Sequence, residues 1–164
     1  MKVHFIGIGG IGLSAIARFL NNNGHEVCGS DMKGSPITIE LEKEGIKTDI
    51  YDLNFFSNFP KNKNYDLVIS TETFEHFKNP MQDIQQAISC ISPYGFLAIM
   101  TRFYPLEDEK PCEKKFSKWY YKRDPTHIAF YSSKSFQWIA ERIGFQIILN
   151  NQFDFILLQR DFPF

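Results

Sequence analysis

The sequence is poor in cysteine. Its three cysteines, Cys28, Cys90 and Cys112, stand far apart with no C-x-x-C pair among them. That number and spacing argue against a disulfide framework or a cysteine-rich zinc site, and a reducing, cytoplasmic setting is expected. An excess of either charge is also missing. Lys plus Arg number 18 against 19 for Asp plus Glu, a net charge of -1, so no bulk field draws the chain to nucleic acid or to an anionic membrane. No apolar run reaches the roughly 18 residues needed to span a bilayer. The apolar stretch after Lys2 is interrupted by Gly7, Gly9, Gly10, Gly12 and Arg18 and has no small-residue cleavage site, so a cleaved leader is not expected. A serine-hydrolase elbow, an HExxH pair and a kinase motif set are absent as well.

What is present reads as one globular unit. The 164 residues are 43% hydrophobic and 23% charged, and 17 Phe, 7 Tyr and 2 Trp, most of them after residue 50, promise a core or a pocket wall rich in rings. Residues 2–6 read as a buried strand that runs into Gly7-Ile8-Gly9-Gly10-Ile11-Gly12 and then a helix with Ile16, Ala17 and Leu20 on one face. Gly24 stops that helix, a strand ends at Ser30-Asp31, and Ser35-Pro36 caps a helix through Glu44 that Gly45 stops. Strands are expected at 47–51 and 67–70. A helix from Asn79-Pro80 should turn its Ile84, Ala87, Ile88 and Ile91 inward, and Pro93-Tyr94-Gly95 should turn into a strand over 96–100. Ser132 or Ser133 caps a last helix that carries Phe136, Ile139, Ala140 and Ile143 and stops at Gly144; a hairpin of 146–149 and 154–159 closes the chain. Repeated βα units followed by a hairpin predict an α/β three-layer sandwich, a doubly wound, mostly parallel seven-stranded sheet of Rossmann-like topology with antiparallel C-terminal strands.

Gly7, Gly9 and Gly12 fit G-x-G-x-x-G between a strand and a helix, with Asp31 ending the next strand. In that fingerprint the first glycine makes the turn, the second lets backbone approach a phosphate or ribose, the third lets helix and strand pack closely, and the acid accepts from ribose hydroxyls. Nucleotide binding is the expectation; tight packing without a ligand is the alternative.

The stretch HFIGIGGIGLSAIARFLNNNGHEVCGSDMKGSPITIELEKEGIK closely resembles the first domain of the UDP-N-acetylmuramate:L-alanine ligase family. The resemblance implies that this loop receives a UDP-sugar, with Gly7, Gly9, Gly10, Gly12, Ser30 and Asp31 matching the motif. The family's G-x-x-x-x-G-K-[ST] loop for ATP is absent, so ligase activity is not expected. From about residue 49 the pieces YDLVISTETFEHFKNP, GFLAIMT and KWYYKRDPTHIAFYSSKSFQWIAERIGF resemble a class I S-adenosylmethionine-dependent methyltransferase. This second resemblance implies S-adenosylmethionine as cofactor, Ser70, Thr71 and Glu72 lining the adenosyl pocket, and His127 and Tyr131 near the substrate mouth. TDIYD resembles that family's second strand, whose terminal acid would be Asp52, so Asp31 and Asp52 compete for the ribose. Where the family carries an acid before its glycine loop, this chain has Ile6. Together the two resemblances imply a hybrid within one Rossmann-like domain, 1–47 of ligase type and 48–164 of methyltransferase type, by engineering or by natural recombination. The hybrid would be a methyltransferase, a UDP- or NAD-binding module, or an inert fold that takes no cofactor.

Other constellations have plainer readings. Glu72, Glu75 and His76 at i, i+3 and i+4 put three potential ligands on one turn, but capping of the following helix accounts for the carboxylates and no metal is expected. His76 and His127 are candidate general bases, with a hydrogen-bonded wall role as the alternative, and no catalytic residue is assigned. Lys110, Lys114, Lys115, Lys118, Lys122 and Arg123, interleaved with Phe116, Trp119, Tyr120 and Tyr121, fit a phosphate-rich partner, but a solvated amphipathic helix whose rings pack against the sheet is the expectation. The expected partner is a small molecule, with neither membrane nor nucleic acid.

Overall fold

The structure, a computed structural model, describes residues 1–50, 64–107 and 110–161. Strands β1 (Lys2–Ile6), β2 (Glu26–Asp31), β3 (Lys47–Ile50), β4 (Tyr65–Thr71) and β5 (Ile91–Met100) alternate with helices α1 (Ile11–Asn22), α2 (Pro36–Lys43) and α3 (Pro80–Ile88). Two-residue strands β6 (Leu106–Glu107) and β7 (Lys110–Pro111) pair with each other, and α4 (Glu113–Lys118), α5 (Ser133–Ile143), β8 (Phe145–Asn150) and β9 (Phe155–Arg160) follow. The main sheet has seven strands in the order β3-β2-β1-β4-β5-β9-β8. β1 to β5 are mutually parallel, and β9 enters antiparallel between β5 and β8.

Side chains of neighbouring residues on β4 divide between two cores, as the two-residue period of a strand requires. Leu67 and Ile69 join Val3, Phe5, Val27, Leu13 and Ala17 of α1 and Leu41 of α2 on one face. Val68 joins Leu97, Ile99, Ile156, Leu158, Ile84 and Ala87 of α3 and Phe136 and Ile139 of α5 on the other. The result is the three-layer sandwich that the alternation predicts.

Several local expectations hold. Gly24, Gly45 and Gly144, which follow helices, all have positive φ, and Ser35 and Ser132 each close a capping box, with Thr38 and Ser135. Other expectations are corrected. Ile16 is exposed and the buried face of α1 is Leu13, Ser14 and Ala17, with Leu13 and Ala17 packed in the core with Val3, Phe5 and Val27 of β1 and β2. Pro93-Tyr94-Gly95 lies inside β5 rather than before it. Ile91 begins that strand instead of ending a helix, and a register irregularity between Tyr65 and Leu67 absorbs the extra residues. The basic aromatic segment forms the short α4 and a 3₁₀ turn at Tyr120–Arg123. Its Trp119 packs on Tyr104, Phe116, Tyr121 and Phe130 rather than on the sheet.

Because α5 carries much of the second core, its cap matters. Ser132→Ala removes the hydroxyl that accepts from the Ser135 N–H at 3.2 Å, and a loss of about 1 kcal/mol is expected. Thermal unfolding reads this as a fall of roughly 2–4 °C; an unchanged midpoint would show that the box is redundant.

Candidate functional site

The carboxyl ends of β1, β2, β4 and β5 enclose a cleft of about 540 Å³. Gly7, Gly10, Gly12, Ser30, Asp31, Thr71 and Glu72 line it, together with Ile6, Leu13, Met32, Thr73, His76 and Met100. Ligands of open α/β sheets bind at such a crossing, where neighbouring strands send their connections to opposite faces.

The glycine loop is fixed by β2. The Ser30 carbonyl accepts from the N–H groups of Gly7 (2.8 Å) and Ile8 (3.1 Å), and Gly7 turns at φ +85°, where an L side chain is strained. The Gly9 N–H donates to Asp31 Oδ2 at 2.8 Å, and a Cβ at Gly9 would stand 2.8 Å from that same oxygen. Gly9 therefore makes room for Asp31 and does not itself line the cleft, a correction to the fingerprint reading. Gly12 is corrected too. A Cβ there would meet nothing within 4 Å, so this glycine serves the open cleft and not close helix–strand packing. The first turn of α1 has neither a side-chain cap nor an acidic residue, which leaves its free N–H groups and positive dipole end available to an anion or to electron-rich atoms.

Among the described residues, Asp31 is held at Oδ2. Its Oδ1 has one long contact among them, from the Lys33 N–H at 3.4 Å, and retains capacity to accept from a hydroxyl. Ser30 is 1% exposed and its hydroxyl meets His4 Nε2 at 3.2 Å, so it reaches the cleft's edge without offering a side-chain group to it. Ser70 is corrected. It is fully buried, flanked in register by Ile6 and Ile99 and outside the lining, and its Oγ has no hydrogen-bond partner among the described residues. Asp52 and the Phe-rich stretch at 54–59 lie outside the described residues.

The turn after β4 bends sharply. Glu72 has φ +50°, and its N–H donates to the Met100 carbonyl at 2.9 Å, so the left-handed backbone is held in place by β5. Burial, and then the charge of Glu75, push the Glu72 carboxyl above the usual carboxylate range. Glu75 is fully buried in the 3₁₀ turn Phe74–His76. One of its oxygens accepts from the Tyr121 hydroxyl at 2.5 Å and the other from the Thr101 hydroxyl at 2.9 Å. The same Tyr121 hydroxyl oxygen lies 3.1 Å from Glu72 Oε2; burial and Glu75 raise its phenol well above the usual tyrosine range.

The backbone carbonyl of Glu75 accepts from the N–H groups of Ile128 and Ala129, at 2.8 and 3.0 Å. This pins the segment around His127 to the turn that carries His76. A second cleft, of about 400 Å³, opens beyond it between Glu72, Arg102, Tyr120, Tyr121, Asp124, His127 and Asp154. Glu72 and Met100 line both clefts. Tyr131, expected at the substrate mouth, is 4% exposed, and its hydroxyl is spent on the Phe74 carbonyl at 3.1 Å; it is a core residue. Sequence reasoning missed Met32, Thr73 and Met100 in the first cleft and Thr101 in the Glu75 network. Met32 and Thr73 each follow an expected site residue, and Met100 and Thr101 stand at the end of β5, but no motif marks any of the four.

Residues 9–150 match the family described as Methyltransferase domain. The match begins inside the glycine loop, so it is not confined to the part from residue 48. A segment of the chain is also 65% identical, over 49 residues, to UDP-N-acetylmuramate:L-alanine ligase of Campylobacter jejuni subsp. jejuni serotype O:23/36 (strain 81-176). That segment is 30% of this chain, and the chain spans only 11% of the ligase's length. Among solved structures, the YcgJ protein of Bacillus subtilis superposes with a TM-score of 0.70 at 11% identity, covering 99% of this chain and 92% of that one. The plantazolicin methyltransferase BpumL, solved with a triazolic desmethylPZN analog and SAH, gives 0.64 at 15% identity over 98% and 77%. With the family matched over most of its length, the chain belongs to the methyltransferase domain family.

Proposed function

We propose that this chain is an S-adenosylmethionine-dependent methyltransferase domain whose cofactor lies in the 540 Å³ cleft. The observation that carries the reading is Asp31. Its carboxylate is braced by the Gly9 N–H while, among the described residues, Oδ1 has only a long contact and can accept at the cleft, as recognition of a ribose requires. The donor set fits the cofactor. Asp31 would hold the ribose hydroxyls, Met32 would offer an apolar wall to the base, the α1 N-terminus and the glycine loop would receive polar atoms, and Glu72 would serve as the acid for its amino group. That last role answers the presence of Ile6 where the family has an acid before the loop. When bound, the cofactor supplies a methyl group activated by a sulfonium. The chain's part is to align an acceptor with it, and alignment alone accounts for much of the rate of such a transfer.

The ligase identity supports a second reading, in which a front βαβα unit of ligase type, joined to a methyltransferase-type remainder near 47–48, retains affinity for UDP or a dinucleotide without catalysis. Calorimetric titration with S-adenosylhomocysteine, UDP and NAD separates the two. Saturable binding of S-adenosylhomocysteine alone is expected. Binding of UDP alone would give the site to the ligase-type reading, and silence of all three at millimolar ligand would sink both.

A further inference from the structure

We infer that Glu75, His76 and His127 form a binding site for one divalent transition-metal cation at the junction of the two clefts. A ligand atom of each lies within 4.8 Å of the others. Three donor atoms at about 2.1 Å from one metal in a tetrahedral shell stand about 3.4 Å apart, so side-chain movements that bring the donors closer by up to about 1.4 Å complete the site.

The imidazoles are preset for this. His76 Nδ1 lies 3.0 Å from the Thr126 carbonyl, and His127 Nδ1 lies 2.8 Å from the Tyr121 carbonyl. A carbonyl only accepts, so in both rings Nδ1 carries the proton and the Nε2 lone pair is left free. Anchoring of the far N–H on a backbone carbonyl is the arrangement that holds metal-binding histidines in tautomer and orientation. The two rings meet edge to face, with centroids 5.0 Å apart. The competing contact is weak, since Asp124 Oδ2 is exposed and 3.7 Å from His127 Nε2.

The carboxylate points the same way. Glu75 is fully buried, it accepts from the neutral hydroxyls of Thr101 and Tyr121 and lies against the Glu72 carboxyl, and among the described residues no Lys or Arg forms an ion pair with it or with Glu72. Buried carboxylates are costly unless a cation is close, and a coordinated metal is one of the few ways to supply it. Two imidazole nitrogens and a carboxylate oxygen suit Zn²⁺, Co²⁺ or Mn²⁺ better than Ca²⁺, which takes an all-oxygen shell. Three protein ligands leave positions open. His76 borders the first cleft and His127 the second. On the methyltransferase reading, on which only this role rests, those positions face an acceptor held by its oxygen beside the methyl donor.

The test is titration of the full chain with Co²⁺ alone, without cofactor, followed by visible absorption and checked against Zn²⁺ competition. One equivalent is expected to bind, and His76→Ala and His127→Ala, confirmed as folded by circular dichroism, should each weaken binding by at least about tenfold. His25→Ala, on the far surface, should not weaken it. Absence of a stoichiometric site in the native chain, a smaller loss in either variant, or an equal loss in His25→Ala would overturn the inference. S-adenosylhomocysteine titrated into the native chain and into His127→Ala, a change at a residue that does not line the first cleft, reports on the cofactor cleft separately, so failure of the metal site and failure of the methyltransferase reading give different results.

Discussion

Asp31→Ala is expected to weaken S-adenosylhomocysteine binding by roughly ten- to hundredfold. A hydrogen bond to a charged acceptor is worth about 1.5–3 kcal/mol, and 1.4 kcal/mol is about a factor of ten. The variant also frees the Gly9 N–H, which donates to Asp31 at 2.8 Å, so the loop loses its brace together with the ribose contact. Asp31→Asn distinguishes the two effects, because it keeps an acceptor for Gly9 and removes only the charge; its loss should be the smaller. Calorimetry with S-adenosylhomocysteine measures both variants. If Asp31→Ala binds within twofold of the native chain, Asp31 does not face the ribose and the carrying observation of the methyltransferase reading is lost.

The largest effect on stability is expected at Phe136. Its ring is fully buried, stacks on Tyr131 at 5.0 Å between centroids and leans on Phe103 at 5.4 Å. Phe136→Ala removes that area and leaves a cavity among rings that cannot collapse to fill it, at a cost of about 3–5 kcal/mol. A domain of this size typically has only about 5–15 kcal/mol in hand. The thermal midpoint should fall by roughly 6–20 °C. Denaturant unfolding should show the same loss in midpoint with little change in slope. A fall of less than about 3 °C would mean that α5 contributes little to the cooperative unit, and the account of the second core would have to be redrawn.

Metal binding and cofactor binding act on neighbouring groups without sharing ligands. His76 alone lines the first cleft while belonging to the metal cluster, and Glu72, with its carboxylate on the Tyr121 hydroxyl that also serves Glu75, links the two. The left-handed backbone at Glu72 is the hinge of this arrangement. It turns the chain out of β4 so that the next residues fall into the 3₁₀ turn with Glu75 inside and His76 at the cleft.

Local chemistry made most of the fold legible. The glycines after α1, α2 and α5, the serine caps and the alternation of strand and helix are patterns within a few residues, and they determine where elements start, stop and turn an apolar face. The glycine loop and Asp31 belong to the same class, because β1, loop, α1 and β2 form one contiguous unit and the Gly9–Asp31 bond closes within it. Sequence went astray where a residue's surroundings come from distant chain. Ser70 ends its strand as a pocket residue should, but its side chain falls on the face walled in by β1, β5 and the second core. A one-residue step along a strand reverses the side chain, and only the sheet's partners determine which face is closed. The metal cluster shows the same limit from the other side. The spacing of Glu72, Glu75 and His76 offered ligands without a reason to bind anything, and plain capping was the simpler account. Tertiary structure alone brought His127 to them, through the bonds of Ile128 and Ala129 to the Glu75 carbonyl, and it alone buried Glu75 with no ion pair to a lysine or arginine among the described residues, since burial and distant pairing are properties of the packed chain and not of any segment of it.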